Sequence, residues 1–117
     1  MDTPNPTRRQ SNRRSALRKP GRKSIRLQCR RGSLGLGANL AFAFADISES
    51  GVQLFARDAL KLHEEVEVIL EGYGMHTAIR RIGEVRWTAP IPEGGFRVGV
   101  RFAKFISFRE VQNLSAP

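Results

Sequence analysis

Two groups of residues in this chain have the types and spacing to grip a polar ligand. Arg14 and Arg18 are separated by three residues, with Arg13 directly before Arg14. Arg9 and Arg13 repeat the same spacing. Each guanidinium is a planar fork of N–H donors. It can hold a phosphate, or the O6/N7 edge of guanine, through two parallel hydrogen bonds. The second group is Asp46-Ile47-Ser48-Glu49-Ser50-Gly51. Asp46 is an acceptor-only carboxylate, and in an extended chain Ser48 points to the same side. A carboxylate beside a hydroxyl can accept the N–H donors on guanine's Watson–Crick edge. Gly51 permits a positive-φ turn or the close approach of a ligand. Trp87, the only tryptophan, ends a strand-like run and can either stack on a base or pack at a rim. Taken one at a time, the first two groups also have plain readings. One is a solvated basic tail. The other is an Asp/Ser/Gly turn closed by local side-chain-to-backbone bonds.

The remaining candidates point away from catalysis. His63 and His76 stand alone, with no nucleophile in a catalytic context. Two histidines and Cys29 lack the spacing of a zinc site. No metal, cofactor or enzymatic activity is expected. Gly32-Ser33-Leu34-Gly35-Leu36-Gly37 departs from the dinucleotide fingerprint and precedes a strand rather than a helix, so it reads as a flexible turn. Cys29 falls on the apolar face of its strand, as a small core residue. Glu65, Glu67 and Glu71 share the polar face of one strand, with Glu64 beside them, and read as a solvated face.

These residues sit on a chain of 117 residues, one domain's length with a single modest core. The net charge is +9. Residues 1–31 hold eleven Lys/Arg and one acid, while residues 32–117 hold nine Lys/Arg and ten acids. The body is nearly neutral and the excess lies on the N-terminal segment. That asymmetry suits an anionic partner. No apolar run is long enough for a membrane-spanning helix, and no apolar stretch follows the first arginines as in a secretory signal. A single cysteine excludes a disulfide framework, so a reducing cytoplasm is expected.

The elements that must position the candidates are mostly strands. Residues 1–12 read as a flexible tail, and 13–23 as a mobile basic segment broken by Pro20-Gly21. Period-two alternation marks 24–30, 39–46, 52–56, 65–71, 77–87 and 95–102. On the second of these, Leu40, Phe42 and Phe44 share one face, and the fifth should bend near Gly83. Six short strands with turn signals between them argue for an all-β barrel or sandwich. Ser107 and Glu110 form a capping box that opens one helix over 107–114, with Phe108, Val111 and Leu114 toward the barrel.

Together, R-x-x-x-R ahead of the first strand and D-x-S-x-x-G between the second and third resemble the PilZ domain, a family of bacterial receptors for cyclic di-GMP. The motifs here are Arg14-Ser15-Ala16-Leu17-Arg18 and Asp46 to Gly51, and the resemblance runs from about residue 12 to 114. It implies a small six-stranded antiparallel β-barrel over 13–114, with 13–23 as an arginine switch that wraps over bound ligand. It implies that Arg14 and Arg18 grip guanine edges and phosphates, that Asp46 and Ser48 hold a guanine, and that Gly51 shapes the loop. Trp87 matches a strand-end aromatic close to the ligand in some members. Arg13, just before the motif, resembles members that take up an intercalated ligand dimer. Asn12 stands where an acidic residue is usual, and Ser50-Gly51 where Gly-Gly is common. With no output domain in this sequence, a response is expected to pass to a separate partner protein.

Two other classes fit the same totals. One is a nucleic-acid-binding barrel with a basic arm; its affinity would fall steeply with salt. The other is a protein-interaction module that binds no nucleotide.

Overall fold

Alternating apolar side chains fold the chain into one antiparallel sheet, with one more strand than the six expected. The computed structural model describes residues 18–72 and 77–116. The strands are β1 (Lys19–Pro20), β2 (Ile25–Arg31), β3 (Ala41–Ile47), β4 (Gly51–Ala56), β5 (Glu65–Gly72), β6 (Ile79–Pro90) and β7 (Phe96–Phe102). A helix, α1 (Phe108–Leu114), follows. The strand order is β1-β3-β4-β7-β6-β5-β2, and every pairing is antiparallel. Among the described residues, no helix is long and apolar enough to cross a membrane.

The inward residues are those the period-two pattern selects. Ile25, Leu27 and Cys29 of β2 meet Val66, Val68 and Leu70 of β5. Val98, Val100 and Phe102 of β7 lie between Val52 and Leu54 of β4 and Val85 of β6. Each such side chain contributes about 1.5–3 kcal/mol by leaving water. Burial is the main force that pushes the Cys29 thiol up to about 12; the Glu64 charge adds to the rise and Arg31 opposes it. The thiol is therefore a core group, as its strand face indicates. The capping box forms as expected: Ser107 Oγ accepts from Glu110 N and Glu110 Oε1 accepts from Ser107 N. Val111 and Leu114 are buried, whereas Phe108 is 53% exposed, because this two-turn helix touches the sheet only with its second turn.

The expected closed barrel is a curled half-barrel. β2 and β3 run side by side without a ladder between them. At one end the Asn39 side chain takes the place of a strand partner. Its Oδ1 accepts from Cys29 N at 2.9 Å and Ala41 N at 3.0 Å, while Leu40 N donates to Cys29 O at 2.7 Å. Two irregularities, between Ala41 and Ala43 and between Phe44 and Asp46, break the alternation of β3. Phe42 is thereby turned outward beside Phe55, away from the core face it was expected to share with Leu40 and Phe44.

Part of the basic segment is docked on the sheet. Lys19 and Pro20 pair with Ile47 and Asp46. Gly21 N donates to Ala45 O at 2.9 Å, Arg22 N to Leu114 O at 2.7 Å and Ala116 N to Pro20 O at 2.8 Å. The segment from Arg18 is thus threaded between β3 and the chain beyond α1. Strand β6 continues three residues past Trp87, and its register shift lies between Val85 and Trp87 rather than at Gly83.

Candidate functional site

Register, more than sequence proximity, assembles the site. Pro20 stands opposite Asp46, Asp46 opposite Gln53, Gln53 opposite Gly99, and Gly99 opposite Trp87. One transverse row therefore crosses β1, β3, β4, β7 and β6. Its neighbours on β4 and β7, Val52, Leu54, Val98 and Val100, point into the core, so the row lies on the outer face.

Asp46 is the centre of this row. Arg18 Nη1 donates to its Oδ1 at 3.0 Å, and Arg97 Nη2 to its Oδ2 at 3.5 Å. Arg97 also donates through Nε to Gln53 Oε1 at 2.9 Å and lies over the Phe55 ring, 5.4 Å from its centroid. Both carboxylate oxygens thus face guanidinium donors, and both arginines remain partly exposed. Further along, Arg97, Gly99 and Arg101 alternate outward on β7. The Trp87 indole lies flat against the Gly99 backbone, so close that a Cβ there would come within 2.2 Å of its Nε1. Beside it is a hollow of about 210 Å³ lined by Arg18, Ser50, Arg86, Trp87, Gly99 and Arg101. Two arginines on the Asp46 carboxylate and two more, Arg86 and Arg101, at the hollow make this face positive, and it suits an anionic ligand with a flat ring.

The turn after Asp46 is built from its own side chains. Ser48 is wholly buried; its N–H donates to Gly51 O at 2.9 Å. Its hydroxyl lies 3.2 Å from Ser50 Oγ and 3.4 Å from Gly51 O. Gly51 does not adopt a positive φ. Glycine is required there because β7 passes over it: a Cβ would lie 2.2 Å from Val100 O. Strand packing, not the expected positive-φ turn, therefore accounts for the glycine at this position.

Arg18, Asp46 and Trp87 are brought onto one face, with Ser48 and Gly51 shaping the loop behind it. Arg9, Arg13, Arg14 and His76 lie outside the described residues. Gln53, Arg86, Arg97 and Arg101 were not singled out in the sequence. The outward alternation of β7 signalled two of them, but nothing local marks Gln53. Elsewhere, His63 has a positive φ and its Nδ1 contacts Glu84 Oε2. Glu67 departs from the expected solvated face. It is only 3% exposed, paired with Arg80 at 3.0 Å, and covered by the glycine loop at Gly35. Glu64 behaves as a surface ion pair. Burial is the largest single influence and opposes its charge, but the Lys61 N–H, the Arg31 guanidinium and the Lys61 charge together outweigh it and hold the carboxyl below the usual range.

A family model described as the PilZ domain matches residues 7–116. The chain belongs to the PilZ domain family. PilZ domains are binding modules rather than catalytic ones, and the family is known for binding cyclic di-GMP. The match takes in both arginine pairs, the Asp46–Gly51 turn and the whole sheet. Comparison with curated proteins and with solved structures returns no match.

Proposed function

We propose that this PilZ domain is a receptor for cyclic di-GMP and signals by rearranging its N-terminal arginine segment over the Asp46 face. The single observation that carries this reading is the Arg18–Asp46 contact, which joins the two motifs in space. A guanidinium offers N–H donors in a plane, as does the N1–H/N2–H edge of guanine. In this reading Arg18 holds the Asp46 carboxylate until guanine replaces it. The freed Arg18 then turns to a guanine O6/N7 edge or a phosphate, with Arg14 as its companion. Arg13 extends the grip to a second, intercalated ligand. Trp87 and Gly99 provide a flat floor, and Ser48 holds the turn that aims Asp46.

Charge-assisted hydrogen bonds of about 1.5–3 kcal/mol each make the exchange favourable, since several form while one arginine contact is surrendered. Residues 18–23 are already placed, so their backbone ordering, about 1–2 kcal/mol per residue, does not recur on binding. A partner protein then reads the altered surface.

Fluorescence polarisation with a labelled cyclic di-GMP tests the exchange. Asp46→Asn keeps the side-chain size but loses one acceptor and the charge. The reading expects at least about a tenfold loss of affinity, from one charge-assisted bond. Equal affinity in both proteins would remove Asp46 from the site.

A further inference from the structure

The open seam between β2 and β3 has no part in the Asp46 face. It is a cleft of about 500 Å³ whose rim carries Arg22, Lys23, Arg26 and Arg57, with Phe42 and Phe44 among its apolar walls. No carboxylate lines it among the described residues. Arg22 donates through Nε to Ser115 O, and Arg57 through Nη1 to the carbonyls of Asn39 and Ala41, so both cations are held in place with donors to spare. Arg26 is highly exposed and reaches Glu71 only at 3.8 Å. The cleft therefore favours negative charge beside apolar groups.

Its walls are two strand edges. β2 has a ladder with β5 alone, and Ala41–Phe44 of β3 is paired only with β4. Asn39 and Leu40 satisfy the edge at Cys29, but no ladder continues toward Ile25. Unpaired strand edges recruit further extended chain, and main-chain bonds then add to side-chain recognition. A small anion would use the cations and leave these edges idle. An extended peptide uses both. A second copy of this chain, at net charge +9, has the wrong sign, as do its own arginines 8, 9, 13 and 14.

We propose that this seam is the docking site for an extended acidic segment of a partner protein, its backbone added to a strand edge and its carboxylates on Lys23, Arg26 and their neighbours. Its position suits output. Gly21 packs so closely on the Phe44 ring that a Cβ would come within 2.5 Å, and Arg22 follows directly, so one short segment touches both the Asp46 face and the seam. The docking itself does not depend on what binds at Asp46.

Fluorescence anisotropy of the full chain with a labelled peptide of about eight residues, alternating Glu and Val, is the test. Charge reversal at the seam (Lys23→Glu with Arg26→Glu) should weaken binding at least about tenfold, while the exposed pair Lys104→Glu with Arg109→Glu changes it less than about twofold. Methylating alternate peptide nitrogens, which keeps the charge but removes donors, should also weaken binding. Equal losses in the two reversed pairs would overturn the proposal, as would undiminished binding of the methylated peptide. So would tighter, seam-dependent binding of a short single-stranded oligonucleotide, which would make the cleft a nucleic-acid site. If the double variant fails to fold by circular dichroism, Arg26→Gln is read in the same way.

Discussion

Arg18 and Asp46 are 28 residues apart in sequence, yet Nη1 of one lies 3.0 Å from Oδ1 of the other. The contact depends on β1, whose two residues pair with the end of β3 and bring the arginine to the carboxylate. Replacing Asp46 by Ala leaves Arg18 and Arg97 facing each other with no acceptor between them. Because both arginines are partly exposed, the stability loss should be about 1 kcal/mol or less in urea unfolding. Cyclic di-GMP binding should fall far more steeply than stability, and Arg14→Ala or Arg18→Ala should weaken it severely as well. Unchanged affinity in Arg14→Ala would remove that residue from the site.

Trp87 and Gly99 share one hydrogen-bonded row, and Gly99 leaves the space in which the indole lies. Gly99→Ala should lift the ring into water. The only tryptophan in the chain then reports directly: its emission should shift to the red with the far-ultraviolet circular dichroism unchanged. Ligand quenching of that emission should diminish in the variant. An unshifted spectrum would mean that the ring does not rest on this glycine.

Gly51 is closed over by the backbone of β7, which cannot rotate away as a side chain can. Gly51→Ala should therefore cost about 1–3 kcal/mol, the range for overpacking. At this chain length that is a fall of roughly 4–8 °C in Tm per kcal/mol, measured by thermal unfolding. An unchanged Tm would show that β4 and β7 separate easily at this point.

Glu64 gives a pH dependence with a defined sign. Burial alone would raise its carboxyl, but the Lys61 N–H and the Arg31 and Lys61 charges together outweigh it and hold the carboxyl below its ordinary value in the folded chain. The unfolded chain thus takes up the proton first as pH falls. The stabilisation is fully present above the ordinary carboxylate range and is lost as pH drops through the lowered folded value. Glu64→Gln should be less stable than the parent at neutral pH, by under about 1 kcal/mol for so exposed a pair, and the gap should close in acid. A gap that widens toward acid would contradict the assignment.

Much of this molecule was legible one strand at a time. Alternation located β2, β5 and β7 and chose their inward residues, and the Ser107–Glu110 pair located the helix start, because those signals are local. What stayed hidden depends on neighbours distant in sequence. β1 consists of two residues whose only signal is the partner they find on β3. The irregularities that turn Phe42 outward arise where β3 must match β4, not from its own pattern. Glu67 looked solvated because nothing in its strand announces a glycine loop folding over it. Gln53 joined the site through register alone. The motif arginine Arg18 and its acceptor Asp46 were both found, since their spacing within each motif carries the signal.

The most direct test of the central claim is calorimetric titration of the purified chain with cyclic di-GMP, with GTP and a short single-stranded oligonucleotide as controls. Cyclic di-GMP should bind selectively, taken up as an intercalated dimer on each chain, and its binding should be lost in Asp46→Ala. No heat with cyclic di-GMP, together with clear, steeply salt-dependent binding of the oligonucleotide, would contradict it and assign the arginine face to nucleic acid.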